Sequence, residues 1–131
     1  MKKIIIITSV IALIAGAAYY GMSRPKAVAQ SNDVVIPELT DLGIKGETAF
    51  NGTCAACHGI NLAGTDNGPS FLNRVYVAGH HGDIAFVLAA KRGASQHHWR
   101  FGDMPPQPQV SDEDLVAIIA YVREFQAVNG F

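Results

Sequence analysis

Four stretches of this chain carry a readable pattern of apolar and polar positions, and the first differs in kind from the rest. From Ile4 to Ser23, 20 consecutive positions, rich in Ile and Ala, pass without a charge between Lys2-Lys3 and Arg24. At about 1.5 Å per helical residue such a run covers about 30 Å, the apolar thickness of a bilayer. The other three have the helical period. Lys45 to Ala56 sets Gly46, Phe50 and Cys54 four residues apart along one face. Gly82 to Gly93 opens near Asp83, carries Ile84, Phe86, Val87 and Leu88 as its apolar positions, ends in Lys91 and Arg92, and stops at Gly93. The last begins at Ser111, an N-cap residue followed by Asp112, Glu113 and Asp114 at the positive end of the helix dipole. Leu115, Ile118, Ile119, Val122 and Phe125 then follow at helical spacing. Arg74 to Gly79 is the only β-favouring run, and it is short, so the pattern predicts an all-α domain of three to four short helices.

The N-terminal run has two readings. It is a membrane anchor with Tyr19 and Tyr20 at the interface, or a secretory signal cut after Ala27-Val28-Ala29. The run is longer than an ordinary signal h-region, which favours the anchor. In both cases the basic extreme N-terminus stays inside and the following domain is exported. The chain thus divides into an N-terminal segment (1–26), a Pro-, Ser- and Asn-containing linker (27–40) and one domain (41–131). Once the N-terminal segment is set apart, six basic residues face eleven acidic ones, a net charge of −5. That balance excludes the basic footprint nucleic-acid binding requires. Three short helices with long loops also bury too little apolar area to stand alone, so the domain needs a staple.

Cys54-Ala55-Ala56-Cys57-His58 supplies a candidate. C-x-x-C-H is the spacing at which two thiols take the two vinyl groups of a haem while the next side chain turns toward the iron. These are the only cysteines, so no disulfide framework exists. A thioredoxin-like dithiol calls for a flanking βαβ pattern that is absent. A zinc site would need two of His80, His81, His97 and His98, at distances from Cys57 that do not fit compact finger spacings.

With His58 as one axial ligand, the sixth iron position decides between electron transfer and small-molecule binding. Met104 is the leading candidate, the only methionine outside the N-terminal segment, on a stretch that Gly102, Pro105 and Pro106 keep extended and stiff. The alternatives are Met104 as a core gap-filler and one of the paired histidines as a second imidazole ligand. Those pairs also read as polar loop residues around a haem rim or as a peripheral copper or zinc site. Trp99 and Arg100 follow, and an indole N–H or a guanidinium there could hydrogen-bond a haem propionate.

Taken together, Gly46, Phe50, Cys54, Cys57, His58, Gly68-Pro69, Met104 and the helix holding Ala120-Tyr121 resemble a class I c-type cytochrome from about residue 41 to the end. The resemblance implies a small cytochrome c fold around one covalently bound haem c. It implies that Gly46 and Phe50 cross the last helix opposite Ile118, Tyr121 and Val122. It further implies that the Pro69 carbonyl accepts the imidazole N–H of His58 and that Met104 is the family's ligand methionine. Few lysines surround the expected haem edge, unlike members that dock through a basic ring. The implied activity is that of a non-enzymatic one-electron carrier on the periplasmic side of the inner membrane. Its partners would be a quinol-oxidising complex, a dehydrogenase or a terminal oxidase. Rival readings are a fixed subunit of such a complex, and a gas sensor or small peroxidase from which Met104 dissociates.

Overall fold

The computed structural model describes residues 34–131, so the segment assigned to an anchor or signal (1–26) and linker residues 27–33 lie outside the described residues. Four α-helices follow: α1 (Asp41–Thr53), α2 (Ala55–His58), α3 (Asp83–Arg92) and α4 (Asp112–Val128). Single 3-10 turns occupy Ile60–Leu62 and Arg74–Tyr76. There is no strand among the described residues, only the isolated pairings Thr65 with Gly68 and Ala94 with Met104. Among the described residues no helix is long and apolar enough to cross a membrane.

The first helix starts at Asp41, four positions ahead of the expected Lys45. Thr40 caps it: its Oγ1 accepts the Gly43 N–H at 3.1 Å, and Asp41 meets the dipole in the first turn. The cap reaches across the molecule, because the Glu124 carboxylate of α4 accepts both the Thr40 N–H (3.0 Å) and its hydroxyl (2.6 Å). Residues 34–40, which composition assigns to a linker, are held by the same helix. Asn129 exchanges two hydrogen bonds with the backbone of Val35, and Val34 and Leu39 lie against the core.

Contact between α1 and α4 sets the core. A Cβ on Gly46 would overlap the Ala117 carbonyl, so only glycine lets the two backbones approach this closely. One turn on, Phe50 is fully buried, its ring 5.5 Å from that of Tyr121 and 6.1 Å from that of Phe71. Burying each such side chain is worth about 2 kcal/mol. Tyr121, Val122 and Phe125 complete the wall at zero exposure. The crossing expected of Gly46 and Phe50 against Ile118, Tyr121 and Val122 is therefore present. Ser111 caps α4 in a reciprocal box: its Oγ accepts the Asp114 N–H at 3.0 Å while the Asp114 carboxylate accepts the Ser111 N–H at 3.3 Å.

The third helix has the expected bounds, with Asp83 in its first turn and Lys91 and Arg92 in its last. Its four apolar positions meet different surroundings. Ala90 is buried and Phe86 and Val87 pack on the core, while Ile84 is 66% and Leu88 41% exposed. Within the short β-favouring run Arg74–Gly79 no strand forms, and Arg74–Tyr76 make a 3-10 turn. Asn73 caps it by accepting the Val75 N–H at 3.0 Å, and local side-chain capping of that kind competes with strand pairing.

Candidate haem-binding site

Cys54 closes α1, donating its N–H to the Phe50 carbonyl at 2.7 Å, and its own carbonyl accepts the N–H groups of Cys57 (3.1 Å) and His58 (2.9 Å). The expected single helix through Ala56 is thus two helices broken at Cys54, and the short second one delivers His58. His58 is 7% exposed, its ring stacked on Phe71 with centroids 4.3 Å apart. Its Nδ1 lies 3.0 Å from the Pro69 carbonyl oxygen. A carbonyl only accepts, so Nδ1 carries the proton and Nε2 keeps its lone pair. Burial holds the imidazole pKa below its ordinary value, against the opposing pull of the Pro69 hydrogen bond, and so favours this neutral ligand form.

Both cysteines are free thiols, Cys54 half-buried and Cys57 exposed. Burial, and secondarily the neighbouring Cys57, pushes the Cys54 thiol up to about 11. A redox-active dithiol shows the opposite shift, toward thiolate at neutral pH. Nor do the cysteines converge with the distant histidines. The metal-ligating side chains that cluster among the described residues are His80, His81 and His98, without either thiol. A Cys2His2 zinc centre is not formed.

Above His58 opens a cavity of about 360 Å³. Cys54, His58 and Pro69 line it on one side, and Phe71, Tyr76, Phe86, Leu88, Val110, Leu115 and Ile118 make much of the wall apolar. Met104 lines the same cavity from a loop far along the chain. Its backbone is fixed, since Ala94 and Met104 exchange both amide hydrogen bonds, at 2.8 and 3.0 Å. Gly93, at φ 77°, makes that pairing possible, because a side chain there would be strained and would press on the Met104 carbonyl. Trp99 also lines the cavity, and its indole N–H is donated to the Tyr76 hydroxyl at 3.1 Å. Arg100 does not line it. It stands exposed on the loop, because Trp99 takes the inward position and turns the next residue to solvent.

The Cytochrome c family model matches residues 44–126. The chain belongs to the cytochrome c family. A "Cytochrome c oxidase subunit 2" from Alkalihalophilus pseudofirmus is 32% identical over 92 residues, 67% of this chain, and the match spans 27% of that protein's length. No solved structure matches. For a member of this family the cavity fits its cofactor. It is largely apolar and is lined by the Cys54 thiol, with Cys57 three residues on at the attachment spacing, and by an imidazole with an unspent Nε2.

Several residues that matter to this c-type domain escaped the sequence reading. Phe71 stacks on His58 and also packs its edge on Tyr76 (4.9 Å) and Phe86 (5.3 Å). Gln126 is 3% exposed and its Nε2 donates to the Phe71 carbonyl (2.9 Å) and the Tyr76 carbonyl (3.1 Å). Arg123 donates to Gln126 Oε1 and to the carbonyls of Tyr76 and His81, and pairs with Asp83 at 2.9 Å. The network ties α4 to the loop under the cavity and satisfies carbonyls that have no helix or sheet to pair with. One signal was available: Gln126 follows Ile118 and Val122 at four-residue intervals, a polar residue in a core register.

Proposed function

We propose that this chain is a one-electron carrier with a single haem c attached through Cys54 and Cys57 and ligated by His58 and Met104. When bound, haem supplies an Fe(III)/Fe(II) couple, and His/Met ligation places that couple at higher potential than more electron-donating pairs do. The residues of this chain do the rest. Pro69 and Phe71 hold the His58 ring in one orientation and one tautomer. The Ala94–Met104 pairing fixes the backbone that carries the thioether, which would limit reorganisation on electron transfer. The apolar wall excludes water. Trp99 and Tyr76 form a polar pair on the wall that could serve a propionate. The observation that carries the reading is the convergence of His58 and Met104 on one apolar cavity beside the C-x-x-C-H thiols.

Partners in this reading are a quinol-oxidising complex, a dehydrogenase or a terminal oxidase on the periplasmic face. The 1–26 segment would tether the domain to the membrane, or leave it soluble if residues 1–29 are removed. Intact mass of the purified protein distinguishes these. Likeness to a stretch of an oxidase subunit favours a second reading, in which the domain is fixed within an oxidase complex. Co-purification of oxidase haem after gentle solubilisation would support it.

Absorption spectra of the purified protein, ferric and ferrous, with and without carbon monoxide, test the ligation. A sulfur-to-iron charge-transfer band and indifference to carbon monoxide are expected. Ready carbon monoxide binding without that band would overturn the carrier in favour of a sensor or small peroxidase.

A further inference from the structure

All four histidines other than His58 gather in one place, although they come from two separate segments; His81, His97 and His98 line the edge of the cavity, and the His58/Met104 ligation leaves all four without a role at the iron. The ligating nitrogens of His80, His81 and His98 lie within 4.8 Å of one another. His97 sits beside them, its ring 4.4 Å from that of His98 and 5.8 Å from that of His81. We propose that His80, His81 and His98 form a binding site for a divalent transition-metal cation of the imidazole-preferring kind, Zn²⁺ or Cu²⁺, at the rim of the cavity.

Three observations carry the assignment. His80 Nε2 and His98 Nε2 are 3.3 Å apart. Two Zn–N bonds of about 2.0–2.1 Å at a tetrahedral angle place their nitrogens about 3.3–3.4 Å apart, so this separation is that of two ligands on one ion. A single N–H···N hydrogen bond would also give that separation, but it does not account for a third imidazole nitrogen within 4.8 Å of both. His81 is that third ring, and its Nδ1 lies 2.6 Å from the Val75 carbonyl. The proton is thereby placed on Nδ1 and the Nε2 lone pair is left for a ligand, the pattern of metal-bound histidines whose other nitrogen donates to a backbone carbonyl.

The two segments are also held in register before any ion arrives. The Val77 carbonyl accepts the N–H groups of both His80 and His81 at 2.9 Å, and Arg123 grips the His81 carbonyl at 2.8 Å. Across from them, Asp103 accepts the Gln96 N–H at 2.9 Å, just ahead of His97 and His98. Three imidazoles leave a fourth position for water or for His97, and imidazole donors select Zn²⁺ and Cu²⁺ over the hard cations Mg²⁺ and Ca²⁺. His80 is exposed and lies off the cavity wall, so an ion can reach the cluster from the His80 side, while His81 and His98 stand on the cavity edge. The site does not depend on the haem assignment, and its test reads metal binding on its own.

Calorimetric titration of the purified, haem-loaded protein with Zn²⁺, and separately with Cu²⁺, should show one tight equivalent. The one-equivalent Cu²⁺ form should display hyperfine splitting from imidazole nitrogens by electron paramagnetic resonance, with the haem absorption unchanged. His80→Gln and His98→Ala should each weaken binding at least tenfold, and His97→Ala should weaken it less. Helical circular dichroism checks that the variants fold, and the nitrogen splitting in the unaltered protein decides the matter should they not. Absence of a tight equivalent, affinity indifferent to His80 and His98, or equal loss on removing His97 would overturn the three-histidine assignment. A change of the haem spectrum to a bis-imidazole form on adding no metal would overturn it too, by giving the cluster to the iron.

Discussion

The α1–α4 crossing and the loop from Gly93 to Gln107 bound the same cavity region but are held together by different physics. In the crossing, Gly46 lies on the Ala117 backbone and Phe50, Tyr121, Val122 and Phe125 have no exposed surface. The loop has Phe101 42% exposed and is fastened by a few directional bonds, the Ala94–Met104 pairing and the Gln96 bonds to Asp103 and Gly102. Shape complementarity over a large apolar area makes the crossing the source of stability. Local hydrogen bonds worth about 1 kcal/mol each make the loop the part that can give way. A cavity with one wall of each kind keeps His58 fixed while Met104 depends on loop integrity.

The strongest way to break this contrast is Gly46→Val. Its branched side chain would have to displace the Ala117 carbonyl, and backbone yields less readily than a side-chain tip. A loss of about 3 kcal/mol is expected, at the upper end of ordinary overpacking. Thermal unfolding of the haem-loaded protein measures it. A loss below about 1 kcal/mol would show that the crossing can slide, and the contrast with the loop would fail.

Next in size is Met104→Ala. Truncating this half-buried side chain, together with its proposed bond to iron, should cost about 2 kcal/mol. The haem should stay attached, because Cys54, Cys57 and His58 are untouched. The sulfur-to-iron band should vanish and the ferrous form should bind carbon monoxide. A variant that still excluded carbon monoxide would mean another side chain, the nearby histidines foremost, holds the sixth position.

The same contrast explains what could be read from the sequence. The crossing is periodic, so Gly46, Phe50, Ile118 and Val122 announced themselves by four-residue spacing, and Ser111 with its three acids announced the start of α4. Motif chemistry singled out Cys54, Cys57, His58 and Met104, the family resemblance added Pro69, and the structure brings all but the exposed Cys57 to one cavity. Aperiodic stretches hid the rest. Thr40 followed by Asp41 was a local start signal that the reading passed over, and its second partner, Glu124, lies 84 residues away. Phe71 on His58, Trp99 on Tyr76, and Arg123 on the Tyr76 and His81 carbonyls are long-range pairings of loop residues. Arg100 was indistinguishable from Trp99 until the loop's direction was known. Ile84 fits the apolar pattern of α3 yet faces outward, and Leu88 is exposed because it fronts the cavity, since a short helix beside a cavity buries only the face that meets α4 and the 71–76 segment.

A smaller change sharpens the loop side. Asp103→Ala removes the carboxylate that accepts the Gln96 N–H, one residue before Met104. A loss of about 1 kcal/mol is expected. Because the bond fastens the loop and not the core, carbon monoxide should gain access to the ferrous form on mixing while the helical circular dichroism stays unchanged. Should stability fall with no change in access, the loop would be holding itself together without holding Met104.

Tyr121→Phe probes a place where the crossing is not ideal. The Tyr121 hydroxyl is buried and finds no hydrogen-bond partner among the described residues. Burial first, and the charge of Glu47 second, pushes its pKa up to about 12. An unpaired buried hydroxyl costs about 1–3 kcal/mol, and phenylalanine would keep the ring contacts with Phe50 at 5.5 Å and Phe125 at 4.9 Å. The variant should therefore gain about 1 kcal/mol, a rise of several degrees in the unfolding midpoint. The pH dependence gives an independent sign. Above pH 10 the unfolded chain releases the tyrosine proton while the folded protein retains it to about 12, so unfolding gains from alkali and stability falls across that window. Tyr121→Phe should flatten the decline. A variant that loses stability instead would mean the hydroxyl is bonded in the folded protein, and that a directional contact, as in the loop, also holds the crossing.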